Sequence, residues 1–501
     1  MEQAGSGPIA PESAKPPRVM KKRVRRRNEM EGEGSAPQIG LSRMSVATLD
    51  AYDPYEYRVG QGHLTNCQAW VHFIKCSFGT GVLTMPMGFK HAGLIPGFIL
   101  GIIIGGFCIY CMQLLIKNMV HISARERKPY IPFNDTMKYT FSHGYPMCQK
   151  MAGCAKPFTD FILAAYHFGI CITYVNYMSQ TSLAVVGKQE SSEGYNLETI
   201  ASTACWVIPL CAINSIRNLK YLAPVSLVGN VITAISMAII LYYIFEPSEH
   251  GFVSDDWEYV GAISTIPVYI GIILFAVEAF GVIIAVEKDM INPKAFGGFF
   301  GVFDQAMFIV LAWYLFLGCA GYLRYGSQVH SSISFTIPFG TWPAVTMYIL
   351  LCLTLFCSYP LHCFVVIDII WTSKILPKVT KRPLLWEMVF RWSAVVVSAV
   401  GAVIIPELDL LISLIGSICL SVLGIIMPAV MDYNVAWSKY GMEWSFSMVK
   451  SMLIVVLGIC AFFVGTYGCV YRMVTTSLGN STAKSSEESF AYQEDEIPED
   501  Y

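Results

Sequence analysis

The chain of 501 residues is 54% apolar and only 14% charged, carries a formal net charge of −2, and has a mean hydropathy of +0.51. Soluble domains carry about 25% charged residues, so this composition excludes an ordinary soluble domain and points to a membrane protein.

Residues 1–60 are rich in Pro, Gly, Ser and charge and lack hydrophobic periodicity, the signature of a disordered cytoplasmic tail. Within them, residues 15–27 hold eight basic residues and no acid. That run reads as a solvated stretch reinforcing orientation, or as an arm for anionic lipid or a regulatory partner. With no apolar run in this tail, no cleavable signal peptide is expected, and the first span serves as its own insertion signal.

Charge-poor runs of about 20 residues, the length that crosses a bilayer, then recur along the chain. Eleven spans are expected, at approximately 66–88 (broken), 94–116, 157–186, 200–216, 221–245, 260–286, 299–323, 342–371, 389–405, 410–431 and 447–471. The result is an all-α polytopic transmembrane domain over residues 61–473, followed by an acidic, disordered tail over 474–501.

Orientation follows from where Lys and Arg collect. The 117–156 loop holds Lys117, Arg125, Arg127, Lys128, Lys138, Lys150 and Lys156, whereas the loop around 246–259 is acidic and has no basic residue. The N-terminus is therefore placed in the cytoplasm and the C-terminal tail on the exterior or lumenal side. Asn480-Ser481-Thr482 becomes an accessible glycosylation sequon, while Asn134-Asp135-Thr136 faces the cytoplasm and stays bare. Most of the sixteen cysteines fall inside spans, so no structural disulfide is expected. The Cys108-x-x-Cys111 spacing lacks a second ligand pair, so no metal site is expected either.

The first span carries the chemistry. His72 and Lys75 share one side of it, and Gly79-Thr80-Gly81 and Pro86 interrupt it. In hydrocarbon every peptide group needs a partner, so a broken helix persists only where it lines a protected cavity. The freed N–H groups of Gly79 to Val82 head a second half-helix, whose positive end suits a carboxylate. Ser77 and Thr80 hydroxyls can supplement these donors. Imidazole titrates at about 6.5, so a histidine here can load a proton on an acidic side and release it in cytosol. The segment reads as a proton-linked carrier of a small carboxylated solute. Glu278, the acid well inside the sixth span, can seat an ammonium, take a proton or tie helices together. His167, near Tyr166 and Tyr174, reads as a packing histidine, and Asp160 and Asp368 as solvated charges at span ends.

These motifs resemble those of the proton-coupled amino acid transporters of the amino acid/auxin permease superfamily, the insect-type members above all. The resemblance runs from about Tyr52 to Arg472. It rests on His72-Phe-Ile-Lys75-x-x-Phe-Gly-Thr-Gly-Val-Leu-x-Met-Pro, Lys90-His-Ala-Gly93, Ile216-Arg217-Asn218-Leu219 and Phe275-Ala-Val-Glu278. Gly318-Cys-Ala-Gly-Tyr322, the run from Ile405-Pro-Glu-Leu-Asp409 to Gly416, and Gly465-Thr-Tyr467 complete it.

The resemblance implies two inverted five-helix repeats of the LeuT-like amino acid permease type plus one extra helix, with the first and sixth helices broken. It implies symport of small neutral amino acids such as glycine, alanine and proline with a proton, into the cytosol across plasma or lysosomal membranes. His72 is then the proton-coupling residue, and Ser77, Gly79, Thr80, Gly81, Phe275 and Glu278 are the candidate substrate-binding residues. No cofactor is expected beyond the coupling ion H+, and nucleic acid is not an expected partner. Family members often carry a disulfide joining two exofacial loops; here residues 187–199 and 324–342 contain no Cys. The chain lacks a zinc-protease helix, a nucleophile elbow or a phosphate loop, so an enzyme is not expected. An amino-acid sensor built on a transporter fold and a proton-independent facilitator are the alternatives.

Overall fold

The computed structural model describes residues 52–58, 64–77, 79–186, 197–217, 219–246, 253–277, 280–298, 300–441, 443 and 445–494. Within these, the side chains of 75–77, 219–228, 230, 280, 282 and 477–494 are not described. Of the two units into which the chain divides, Met1–Ala51 lies wholly outside the described residues, and Tyr52–Tyr501 holds the helices. The basic run at 15–27 falls in the first.

Helices α1 (Asn66–Ser77) and α2 (Thr80–Ala92) make up the first expected span, and α3 (Leu94–Arg125) the second. A short α4 (Phe133–Ser142) crosses to α5 (Pro146–Val185), followed by α6 (Leu197–Asn214) and α7 (Leu219–Phe245). The sixth expected span appears as α8 (Ile266–Val277) and α9 (Phe280–Asp289). The rest of the chain is α10 (Val302–Tyr325), α11 (Trp342–Ile367), α12 (Pro383–Ile404), α13 (Leu408–Ile415), α14 (Met427–Tyr440) and α15 (Phe446–Glu494). Wide π-helical stretches, Asp368–Ile375 and Gly416–Ile426, extend α11 and link α13 to α14. Prolines open α5 and α12, where a missing N–H leaves no bond unmade.

Among the described residues, eight helices are long and apolar enough to cross a membrane, and the single β pairing is an isolated bridge between Leu64 and Met290. The protein is thus all-α and multi-pass. In the most apolar window of Leu408–Tyr440, 78% of residues are buried, against 28% for Phe446–Thr476. The former therefore belongs to the centre of the bundle and α15 to its rim. Phe98, Ile102 and Ile103 of α3 and Leu453, Val456 and Phe463 of α15 are exposed apolar side chains, the surface a bilayer covers.

At the bundle centre, α2 buries all but one of its thirteen residues. Small residues allow this. Gly81 and Gly88, two turns apart on one face, admit α8, with the Tyr269 ring 3.0 Å from where a Gly88 Cβ would stand. Gly318 and Gly321 of α10 receive Phe89 and Pro86. Gly93, at φ +82, reverses the chain between α2 and α3; a Cβ there would lie 2.2 Å from Gly261 N, so only glycine fits.

Three sequence expectations need correction. The tail does not run unstructured to residue 60: residues 54–58 form a turn in which Arg58, 7% exposed, pairs with Glu287 at 2.7 Å and also donates to the Pro129 carbonyl. Asp53 meets Lys294 at 2.6 Å. The aromatic rings of Tyr55 and Tyr130, stacked against the Arg58 guanidinium, supply the packing that composition did not reveal. The C-terminal boundary at 474 is also crossed, since α15 continues as helix to Glu494. Third, Asp160 is not solvated. It is 7% exposed and accepts a hydrogen bond from Asn134 at 2.9 Å, because α4 folds over that end of α5.

Candidate substrate and proton site

The site is built around the interruption of the first span. α1 ends at Ser77, Gly79 is extended at φ −115 and ψ −161, and α2 starts at Thr80. The first-turn N–H groups of a helix have no intrahelical acceptor, so those at the start of α2 are free to take a ligand oxygen. Among the described residues, a Cβ on Gly79 would meet nothing within 4 Å, so no described side chain closes the break there. Two residues on, a Gly81 Cβ would stand 2.9 Å from Ala276 Cα and 3.4 Å from the Phe275 ring. Among the described residues, the head of α2 is therefore uncovered on the Gly79 side and sealed by α8 on the Gly81 side. Thr80 (3% exposed) and Phe275 (9%) are buried at this junction.

His72 lies elsewhere. Its neighbour Phe73 is fully buried, edge-on to Phe296 at 6.0 Å and Phe303 at 5.5 Å, and anchors α1; His72 itself is exposed. A rise of 1.5 Å per residue puts it about 10 Å along the axis from Gly79, farther than a direct contact with a solute at the break. The side chains of Lys75, Ser77 and Asn480 are not described, and Glu278 falls between α8 and α9, outside the described residues.

At the other end of α2, two of the quoted motifs meet. His91 Nε2 lies 3.0 Å from Asp409 Oδ2, both nearly inaccessible. The histidine occupies the last turn of α2 and the carboxylate the first turn of α13, positions that suit both helix dipoles. Lys90 Nζ donates to the Val329 carbonyl at 2.9 Å. Neither contact was legible from spacing, since 318 residues separate His91 from Asp409.

A second polar cluster went unread in the sequence. His167, expected to be a packing residue, has its Nδ1 3.1 Å from Nδ1 of His362, which also faces the Tyr174 hydroxyl. The signal that could have flagged His362 was an ionisable side chain inside an apolar span.

The model of the family described as "Transmembrane amino acid transporter protein" matches residues 62–471. The "Proton-coupled amino acid transporter-like protein pathetic" of Drosophila melanogaster is 33% identical over 462 residues, covering 90% of this chain and 95% of that protein. The "Probable amino acid transporter skat-1" of Caenorhabditis elegans is 22% identical over 425 residues, covering 82% and 90%. Among solved structures, the nucleobase-cation-symport-1 family transporter Mhp1 in a closed conformation has a TM-score of 0.44 at 12% identity, covering 89% of this chain and 96% of that one. Inward-facing Mhp1 has a TM-score of 0.47 at 11% identity, covering 84% and 92%. The chain belongs to the transmembrane amino acid transporter family, and is a multi-pass membrane transporter rather than an enzyme.

Proposed function

We propose that this protein is a proton-coupled symporter of small neutral amino acids of the glycine, alanine and proline type. It would move them into the cytosol across the plasma or lysosomal membrane, with its N-terminus cytoplasmic. The observation that carries the reading is the helix break at Gly79, where the first-turn N–H groups of α2, which lack intrahelical acceptors, suit an amino acid carboxylate. Phe275, buried against Gly81, closes the break on the α8 side. Family membership and the printed name of the Drosophila relative support amino acids and protons as the pair carried. In this reading His72, exposed two turns before the break, loads the proton on the way in, and Glu278 faces the ammonium end.

Coupling has a calculable yield. A difference of about two pH units supplies about 2.7 kcal/mol, and about 100 mV adds about 2.3 kcal/mol per charge moved. Together these sustain accumulation on the order of a few thousand-fold for one proton per zwitterion. Uptake of radiolabelled glycine, alanine and proline into proteoliposomes, with and without an imposed pH gradient, is the test. Concentrative uptake that requires the gradient is expected; equilibration to the same level without it would leave only a facilitator.

A further inference from the structure

We propose that His167 and His362 together form a second proton-binding site, which takes one proton between them beside the head of α9. The proposal rests on the proton-coupled reading above and adds a group to it.

The two histidines reach one another from α5 and α11, with Nδ1 atoms 3.1 Å apart and ring centroids 5.3 Å apart. Two ring nitrogens at that distance share one hydrogen, since two lone pairs or two N–H groups would repel. Tyr174 sets the order. Its hydroxyl lies 3.4 Å from His362 Nε2, and we assign it as the donor in that contact. His362 then carries its hydrogen on Nδ1 and donates to His167 Nδ1, which leaves the His167 hydrogen on Nε2, a tautomer assigned from the network. That Nε2 faces Gly281 in the first turn of α9, where a Cβ would stand 3.8 Å away. Gly281 is exposed and His362 is partly so, whereas His167 is only 8% exposed. The hydrogen-bonded line therefore runs from the buried Tyr174 phenol through His362 to His167, whose ring lies against Gly281 of α9.

A proton arriving from the acidic side adds to the lone pair of His362 Nε2, and the Tyr174 hydroxyl turns from donor to acceptor. The pair becomes one imidazolium bonded to one neutral imidazole, a charge-assisted and stronger hydrogen bond. A second proton would set two cations about 5 Å apart, so the pair takes one and titrates as a unit. The Tyr166 ring, 5.1 Å from His167, and the Tyr174 ring, 5.4 Å from His362, offer π-electron density to the cation.

The other titratable groups on the surrounding elements are engaged elsewhere. Asp160 of α5 accepts from Asn134, Asp409 of α13 pairs with His91, and Glu387 of α12 pairs with Arg391 and Arg217. Cys171 and Cys363 hydrogen-bond to each other, and Tyr359 bonds Ser398. Asp368 is exposed past the end of α11, and the side chains of Glu278 and Lys220 are not described. With none of these carboxylates paired to the histidines, the proton leaves without breaking an ion pair. An asparagine pair would make the same cross-helix hydrogen bond without a titratable group, and ionisable side chains in a span are costly.

The full-length protein in nanodiscs, 15N-labelled at histidine, is titrated by NMR from about pH 8 to about pH 4.5, with His167→Asn and His362→Gln for assignment. One protonation step shared by both rings, lost in either variant, is expected. Rings that stay neutral throughout, or titrate independently, overturn the proposal. In proteoliposomes, His362→Gln is expected to lose about tenfold or more of the pH-driven alanine accumulation and to flatten its pH profile; an unchanged profile overturns it. Should that variant not fold, Tyr174→Phe removes only the hydroxyl and is expected to shift the midpoint of the shared step, and an unmoved midpoint counts against the site. If the unmodified protein moves no alanine, glycine or proline at any pH, the transport reading fails, while the NMR titration still decides whether the pair binds a proton.

Discussion

Gly81 of α2 and Ala276 of α8 meet with no side chain between them, since a Cβ on Gly81 would stand 2.9 Å from the Ala276 Cα. The clash would be with backbone, which cannot rotate away, so the two half-helices are held at a separation that only glycine allows. Gly79, two residues earlier, has no described atom within 4 Å of where its Cβ would stand and an ordinary extended φ of −115.

The paired substitutions separate packing from local conformation. Gly81→Ala is expected to destabilise the protein by about 1–3 kcal/mol, as overpacking does, and to abolish uptake. Gly79→Ala, at an N-cap position, is expected to lose less than about 1 kcal/mol. Thermal unfolding in detergent with parallel uptake assays checks both. Equal stability of the two variants would mean that the α2–α8 contact is looser than described.

Near the start of the described chain, Arg58→Ala leaves Glu287, 2% exposed, as a buried carboxylate without its partner. Breaking such a pair typically costs about 3–5 kcal/mol, whereas replacing both partners by apolar residues can be neutral. The single variant is therefore expected to lower the unfolding temperature and open residues 52–58 to protease, and Arg58→Met with Glu287→Leu to restore much of the loss. The neighbouring Asp53 gives the segment a pH dependence. Against the effect of partial burial, Lys294 and the Tyr55 N–H hold its carboxyl below the usual range. A depressed carboxylate pKa favours docking above the ordinary range of about 4 and loses that contribution as the pH falls through the folded value. Protease sensitivity at this segment should thus rise in acid.

His72→Ala is expected to abolish accumulation of alanine under an imposed pH gradient. Because the imidazole lies about 10 Å from the break along the axis, its loss should spare alanine binding, measured by equilibrium dialysis, within about threefold. A variant that still concentrates alanine would remove His72 from the coupling mechanism.

Topology is checked by glycosylation. Asn480 is expected to be modified and Asn134 bare, with the glycosidase-sensitive mass shift lost in Asn480→Gln. Asn134 is also engaged with Asp160, so modification at Asn134 would overturn both the orientation and that contact.

The interruption of the first span was legible because local chemistry dictates it. Gly-x-Gly inside an apolar run cannot remain one regular helix without cost, and the interruption appears at Gly79, where the residues place it. The placement of His72 was less legible. Its turn on the helix depends on which face Phe73 buries against Phe296 and Phe303, and those partners come from a part of the chain more than 200 residues away. The docking of Arg58 was hidden for a related reason, because a short polar segment carries no periodicity even when a distant Glu287 waits to pair with it.

The sequence by itself determined the membrane class, the all-α character and the break in the first span. Hydrocarbon tolerates few polar groups, so length and charge along one stretch decide whether it enters. Only the tertiary structure decided which ionisable residues face one another: His91 with Asp409, and His167 with His362 and Tyr174. Such pairings depend on how rigid helices rotate and cross, and that is settled by small-residue packing across the bundle, which no local window of residues contains.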